Sequence, residues 1–129
     1  MKVFIAAKYD PSDTNIFSVL KKVVASVGGT PYAFIDEGHF NDGKEMMKRA
    51  LAKLDENDIL LIEASKESIG IGIEAGYYFH KRKPIISIFQ KGVKISRTLL
   101  GVSNECIEYE NIDDLKRKLK QAFLKIQEA

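Results

Sequence analysis

The stretch from Asp58 to Gly76 constrains this chain most: Asp-Ile-Leu-Leu-Ile-Glu-Ala-Ser-Lys-Glu-Ser-Ile-Gly-Ile-Gly-Ile-Glu-Ala-Gly. Its opening run, Ile59 to Ile62, has the length and branched apolar character of a buried strand. A strand without a polar face needs helices on both sides, which is the situation of a parallel sheet in an α/β fold. A polar turn, Ser65 to Ser68, follows the strand. Then come Gly70, Gly72 and Gly76, with one carboxylate among them, Glu74, and a helical continuation, Ala-Gly-Tyr-Tyr-Phe-His. Strand, glycine-rich turn and helix N-terminus make a place where free N–H groups attract anions. Glycines there let a ligand approach the backbone.

The rest of the chain alternates in the same way. A strand is expected over Lys2 to Ala7, then a helix over Thr14 to Val27 capped by Ser12 or Asp13 and ended by Gly28-Gly29. Ile16, Val19, Leu20, Val23 and Val24 share one face of that helix. Thr30 to Ile35 predicts a second strand, Asp36 to Gly43 a polar loop, and Lys44 to Asp55 a helix with Met47, Ala50, Leu51 and Leu54 inward. The third strand is Ile59 to Glu63 and its helix Gly72 to Lys81. Ile85 to Phe89 predicts a fourth strand, Ser96 to Leu100 a short helix and Cys106 to Tyr109 a fifth strand. A last helix, Ile112 to Gln127, is capped by Asn111. The expected fold is α/β: a doubly wound five-stranded parallel sheet in the flavodoxin-like order 2-1-3-4-5, as a single domain over residues 1–129. In such sheets ligands bind at the carboxyl ends of the strands, beside the switch point. The turn after strand one, Ala6 to Tyr9, then lies beside the turn after strand three.

Charge and cysteine usage narrow the function. A formal net charge of +2, with Lys and Glu interspersed, gives no footprint for a nucleic-acid polymer. Lys116 to Lys120 reads as the wet face of the last helix. No apolar run approaches the ~20 residues needed to span a membrane, and the apolar part of the N-terminus is too short for a secretory signal. The single cysteine, Cys106, cannot form an internal disulfide and fits a reducing cytoplasm; it is expected as a buried small hydrophobe. His39 and His80 stand alone in sequence and read as surface residues. No ligand cluster predicts a metal, and no dinucleotide or Gly-Lys-Ser/Thr fingerprint predicts a cofactor.

Glu74 is the candidate catalytic residue. It can be read as a first-turn glutamate against the helix dipole, or as a carboxylate facing a cleft, where it suits attack on an anomeric carbon. Ser68 and Ser96 can both cap helices, and a cap and an anion site share one geometry.

These residues carry a resemblance. Ser68-Ile-Gly-Ile-Gly-Ile-Glu-Ala-Gly76, preceded by the strand with Glu63 and followed by Lys83-Pro-Ile-Ile-Ser-Ile-Phe89, resembles the nucleoside 2-deoxyribosyltransferase family. The nearest subgroup is the 2'-deoxynucleoside 5'-phosphate N-hydrolases, whose motif reads Pro-Ser-Leu-Gly-Val-Gly-Tyr-Glu-Leu-Gly. A weaker echo lies at Ile95 to Gly101. The resemblance implies N-glycosidic cleavage or deoxyribosyl transfer on a nucleoside or nucleoside 5'-monophosphate. Glu74 would be the nucleophile on C1'. Ser68 and the backbone of Gly70 and Gly72 would hold the 5'-phosphate. Ser96 would reach the phosphate of a neighbouring subunit, which implies a homodimer. Phe4, Ala6, Ala7 and Lys8 would border the substrate.

Two positions depart from the family. Its helix-two aspartate, which gives a proton to the leaving base, falls at Ala50 here, and a strand-one tyrosine falls at Phe4. Asp10, Glu45 or Asp36 are the candidate substitutes. Two alternatives stay open: a non-catalytic nucleotide-binding module, and an NAD-cleaving domain similar to TIR-type domains, whose cationic nicotinamide leaving group needs no proton.

Overall fold

The structure is a computed structural model that describes residues 1–13 and 15–129. Its five strands are β1 (Lys2–Ala7), β2 (Thr30–Ala33), β3 (Ile59–Glu63), β4 (Ile85–Gln90) and β5 (Glu105–Tyr109). They form one sheet in the order β2-β1-β3-β4-β5, and every pairing is parallel. The expected topology is therefore present. The helices are α1 (Ile16–Ser26), α2 (Gly43–Glu56), α3 (Ile69–His80), α4 (Arg97–Val102) and α5 (Ile112–Glu128).

Side chains alternate along each strand, so each strand feeds two cores. Val3, Ile5, Ile59 and Leu61 pack under α1 and α5 through Leu20, Val24, Leu115 and Leu119. Phe4, Leu60, Ile62 and Ile85 pack under α2, α3 and α4 through Leu54, Ile71, Ala75 and Tyr78. All five residues of β3 are buried, which is why its sequence shows no polar alternation. Gly29 marks a tight approach: a Cβ there would lie 2.7 Å from Val24 Cγ1.

Four local expectations are corrected. The N-cap of α1 is Asn15, without a side-chain cap bond, instead of Ser12 or Asp13, because Asp10 instead holds the Ser12 amide and hydroxyl. Thr14, expected to open that helix, lies outside the described residues. β2 stops at Ala33 and the chain winds into a 3-10 helix, Phe34–Glu37, where a strand end and loop were expected. α3 starts at Ile69, so Gly70 and Gly72 lie inside it and Glu74 stands in its second turn, outside the first-turn dipole position. Cys106 is exposed, since β5 is an edge strand whose inward positions are taken by Ile107 and Tyr109. Among the described residues no helix is long and apolar enough to cross a membrane.

Candidate active site

Three depressions adjoin one another at the carboxyl ends of β1 and β3. The largest is a cleft of about 610 Å³ bordered by Phe4, Ala6, Ala7, Tyr9, Phe34, His39, Phe40, Met46 and Glu74. A small crevice of about 50 Å³ shares Ala7 with it and adds Lys8, Asp10, Glu63, Ser65 and Lys66. A groove of about 350 Å³ shares Lys66 with the crevice and adds Ser68, Gly72, Ser96 and Thr98. The structure thus brings Glu74 together with Phe4, Ala6 and Ala7. It brings Ser68 and Gly72 together with Ser96 in the neighbouring groove, and places Lys8 in the crevice between.

Glu74 owes its position to the register of α3. Ile71, Ala75 and Tyr78 turn to the sheet and are buried, which leaves Glu74 at the flank of the helix, partly buried. Helical side chains lean toward the N-terminus, so Glu74 overlies Gly70, whose missing side chain leaves that space open. Burial raises the Glu74 carboxyl from the ordinary 4.5 to about 7, and no compensating charge or hydrogen bond opposes it. Its walls are aromatic. Phe34 and Phe40 stack with ring centres 5.6 Å apart, and Phe4 tilts against Tyr32 at 5.4 Å.

The groove is built on helix caps. Ser68 Oγ accepts from the Ile71 amide at 3.5 Å, the long limit of a hydrogen bond, so the hydroxyl is loosely held. Ser96 Oγ accepts from the Thr98 amide at 3.2 Å and lies 2.6 Å from Thr98 Oγ1. The Gly72 amide is already given to the Ser68 carbonyl at 3.2 Å. Gly72 can therefore offer a ligand close approach, while first-turn amides such as that of Gly70 remain outside the helical ladder.

The crevice is held together by charge. Lys66 Nζ contacts Asp10 Oδ2 at 2.8 Å, joining the turn after β1 to the turn after β3, and holds the Asp10 carboxyl far below its usual range. Glu63 is buried, accepts from the Ser65 amide at 2.6 Å and from the Tyr109 hydroxyl, and ties the end of β3 to β5.

None of the three substitute acids borders the Glu74 cleft. Asp10 is paired with Lys66, Asp36 with Lys21, and Glu45 is exposed in the first turn of α2. Ala50 is 3% exposed and supplies no surface to the cleft. From its isolation in sequence His39 reads as a surface residue. It is exposed, but it lines the cleft, and only the turn at Gly38 brings it there. Among the described residues no group of three or more His, Cys, Asp or Glu side chains is placed to hold a metal ion.

A five-stranded parallel sheet in this order, flanked by helices, is also the fold of a solved 2-deoxyribosyltransferase. The 2-deoxyribosyltransferase of Bacillus psychrosaccharolyticus superposes with a TM-score of 0.74 at 16% identity over 90% of each chain. A CMP N-glycosidase of Clostridium botulinum superposes with a TM-score of 0.69 at 22% identity, over 94% of this chain and 99% of that one. In sequence, the chain is 25% identical over 92% of each protein to one from Thermofilum pendens named "Putative 2'-deoxynucleoside 5'-phosphate N-hydrolase 1". No family profile matches the chain. The resemblance to these proteins is thus met in both sequence and fold.

Proposed function

We propose that the protein cleaves the N-glycosidic bond of a nucleoside or nucleoside 5'-monophosphate, with the Glu74 carboxylate attacking C1'. The observation that carries this reading is Glu74 itself, a carboxylate shifted by burial alone in an aromatic cleft at the switch point of the sheet. A carboxylate that only stabilises a fold is paired or solvated; this one keeps the desolvation cost of its charge. The named activities of the proteins it resembles support the same chemistry.

In this mechanism a Glu74 oxygen bonds to C1' as the C1'–N bond breaks, and that electron pair leaves with the base. Water, or the base of a second nucleoside, then attacks the glycosyl ester. The base lies against Phe34 and Phe40. The 5'-phosphate lies in the groove against Ser68 and the first-turn amides of α3, with Lys66 as counter-charge. The protein works as a cytoplasmic homodimer, and Ser96, which borders its own chain's groove beside Ser68, supplies a hydroxyl to the phosphate. The exposed side of α3 supports the dimer: Ile69 is 85%, Ile73 51% and Phe79 57% exposed, with Gly72 and Gly76 between them.

Base release from a panel of nucleosides, their 5'-monophosphates and NAD tests the reading. Release from at least one nucleoside or monophosphate, abolished by Glu74→Gln, is expected. Activity that survives that substitution contradicts the mechanism, and nicotinamide release from NAD alone moves the protein to NAD cleavage. A second reading, nucleotide binding without turnover, is favoured by the burial of Ala50 where the family keeps its acid. Calorimetry that finds binding with no release would select it.

A further inference from the structure

The geometry points to His39 as the general acid that protonates the leaving base in the Glu74 cleft. This rests on the glycosidase reading above. An N-glycosidic base leaves poorly as an anion, and a positioned proton donor typically contributes ~10²–10⁴-fold. The chain has Ala50 in place of that donor, sealed from the cleft. Asp10, Asp36 and Glu45 lie outside it, and Glu37 is taken by Arg49 Nε at 2.8 Å and Tyr32 Oη at 2.9 Å. Of the described side chains that border the cleft, only Glu74, Tyr9 and His39 carry a dissociable proton. Glu74 is the nucleophile, and an imidazolium is a far stronger acid than a phenol.

The local structure aims His39. The 3-10 helix Phe34–Glu37 ends at Gly38, whose φ of +91° suits a residue without a side chain. That bend delivers His39 to the rim, and the neighbouring Phe40 is fixed by its stack on Phe34. His39 Nε2 lies 3.1 Å from Asn41 Oδ1. With that carbonyl oxygen accepting from Nε2–H, the ring is oriented and Nδ1 is left for the substrate.

The step balances. As Glu74 bonds to C1', the base takes the C1'–N electron pair and a proton from Nδ1, which leaves a neutral imidazole. Water then attacks C1' of the glycosyl ester and passes a proton to Nδ1. The free sugar, the Glu74 carboxylate and the imidazolium result.

The test compares His39→Gln with the unmodified protein on 2'-deoxyguanosine 5'-monophosphate and on its 7-methyl derivative. The methylated base already carries the positive charge that protonation would supply. His39→Gln is expected to lower kcat about 100-fold or more on the first substrate and less than about threefold on the second, with KM and melting temperature little changed. Equal losses on both substrates, or no loss on either, overturn the inference. So does a loss that follows Tyr9→Phe instead. If Glu74→Gln abolishes cleavage of both substrates while His39→Gln leaves both rates intact, the glycosidase reading stands and His39 loses its role. No base release from either substrate by the unmodified protein overturns the inference, and none from any nucleoside or monophosphate of the panel overturns the glycosidase reading as well.

Discussion

Glu74 opens into the aromatic cleft, whereas Ala50, on the helix that packs beside its own, is buried and contributes no surface to that cleft. In the proposed mechanism the attacking carboxylate and the position that the resemblance gives to the acid therefore lie apart. A carboxylate placed at residue 50 would meet protein, so under the proposed mechanism a proton for the leaving group comes from the rim.

The charge on Glu74 costs stability, and the cost has a sign in pH. Unfolded, the carboxyl titrates near 4.5; folded, it holds its proton to about 7. Below pH 4.5 the group is neutral in both states and costs nothing; its cost grows as pH rises from 4.5 to about 7 and is constant above. The shift corresponds to up to about 3 kcal/mol. Glu74→Gln should be indistinguishable from the unmodified protein in stability at pH 4 and more stable by up to about 3 kcal/mol at pH 8, measured by urea unfolding. A substitution that destabilises at pH 8 contradicts this.

In the proposed mechanism only the ionised carboxylate attacks, so kcat/KM on a cleaved substrate should fall about tenfold per unit below pH 7, with its limb near the free-enzyme value of Glu74. A profile flat down to pH 5 would mean that the carboxylate is not the nucleophile.

Gly72 lies inside α3, and a Cβ there meets nothing within 4 Å in the chain. Gly72→Ala should raise stability by about 1 kcal/mol through helix propensity. It should also weaken use of a 5'-monophosphate more than that of the matching nucleoside, because the phosphate needs close approach. Gain of stability with unchanged monophosphate kinetics would remove Gly72 from the site.

Lys83 acts far from the cleft. Its Nζ donates to the carbonyl oxygens of Leu54, Asp55 and Asn57, closing the C-terminus of α2, and sits 4.7 Å from the Tyr78 ring centre. Lys83→Met should lower stability by about 1–3 kcal/mol while kcat stays unchanged, as thermal unfolding and steady-state rates will show.

The apolar side of α3 gives the dimer a test. Ile73→Asp should convert the proposed dimer to a monomer in sedimentation equilibrium and reduce monophosphate cleavage. A monomer before substitution contradicts the dimer.

The fold was legible because β3 has no polar residue between Ile59 and Ile62, and because α1, α2 and α5 carry their apolar stripes at helical spacing. The start of α3 was not: two glycines in its first turns lower helix propensity and disguise helix as loop, although Ser68 was named as a possible cap. Cys106 was misplaced because an edge strand alternates where a central strand does not. The carboxylate was legible from its motif. His39 was not, since its place depends on a 3-10 turn and a left-handed glycine that no periodicity announces. The Lys66–Asp10 pair, spanning two turns far apart in sequence, was equally hidden.

The most direct measurement is mass spectrometry of the quenched protein after incubation with a 2'-fluoro-substituted arabinonucleoside 5'-monophosphate, which slows breakdown of a glycosyl ester. The account predicts an added sugar-phosphate on the peptide containing Glu74, with loss of one base per adduct and no adduct in Glu74→Gln. Base release accompanied by an adduct on any other residue would contradict it.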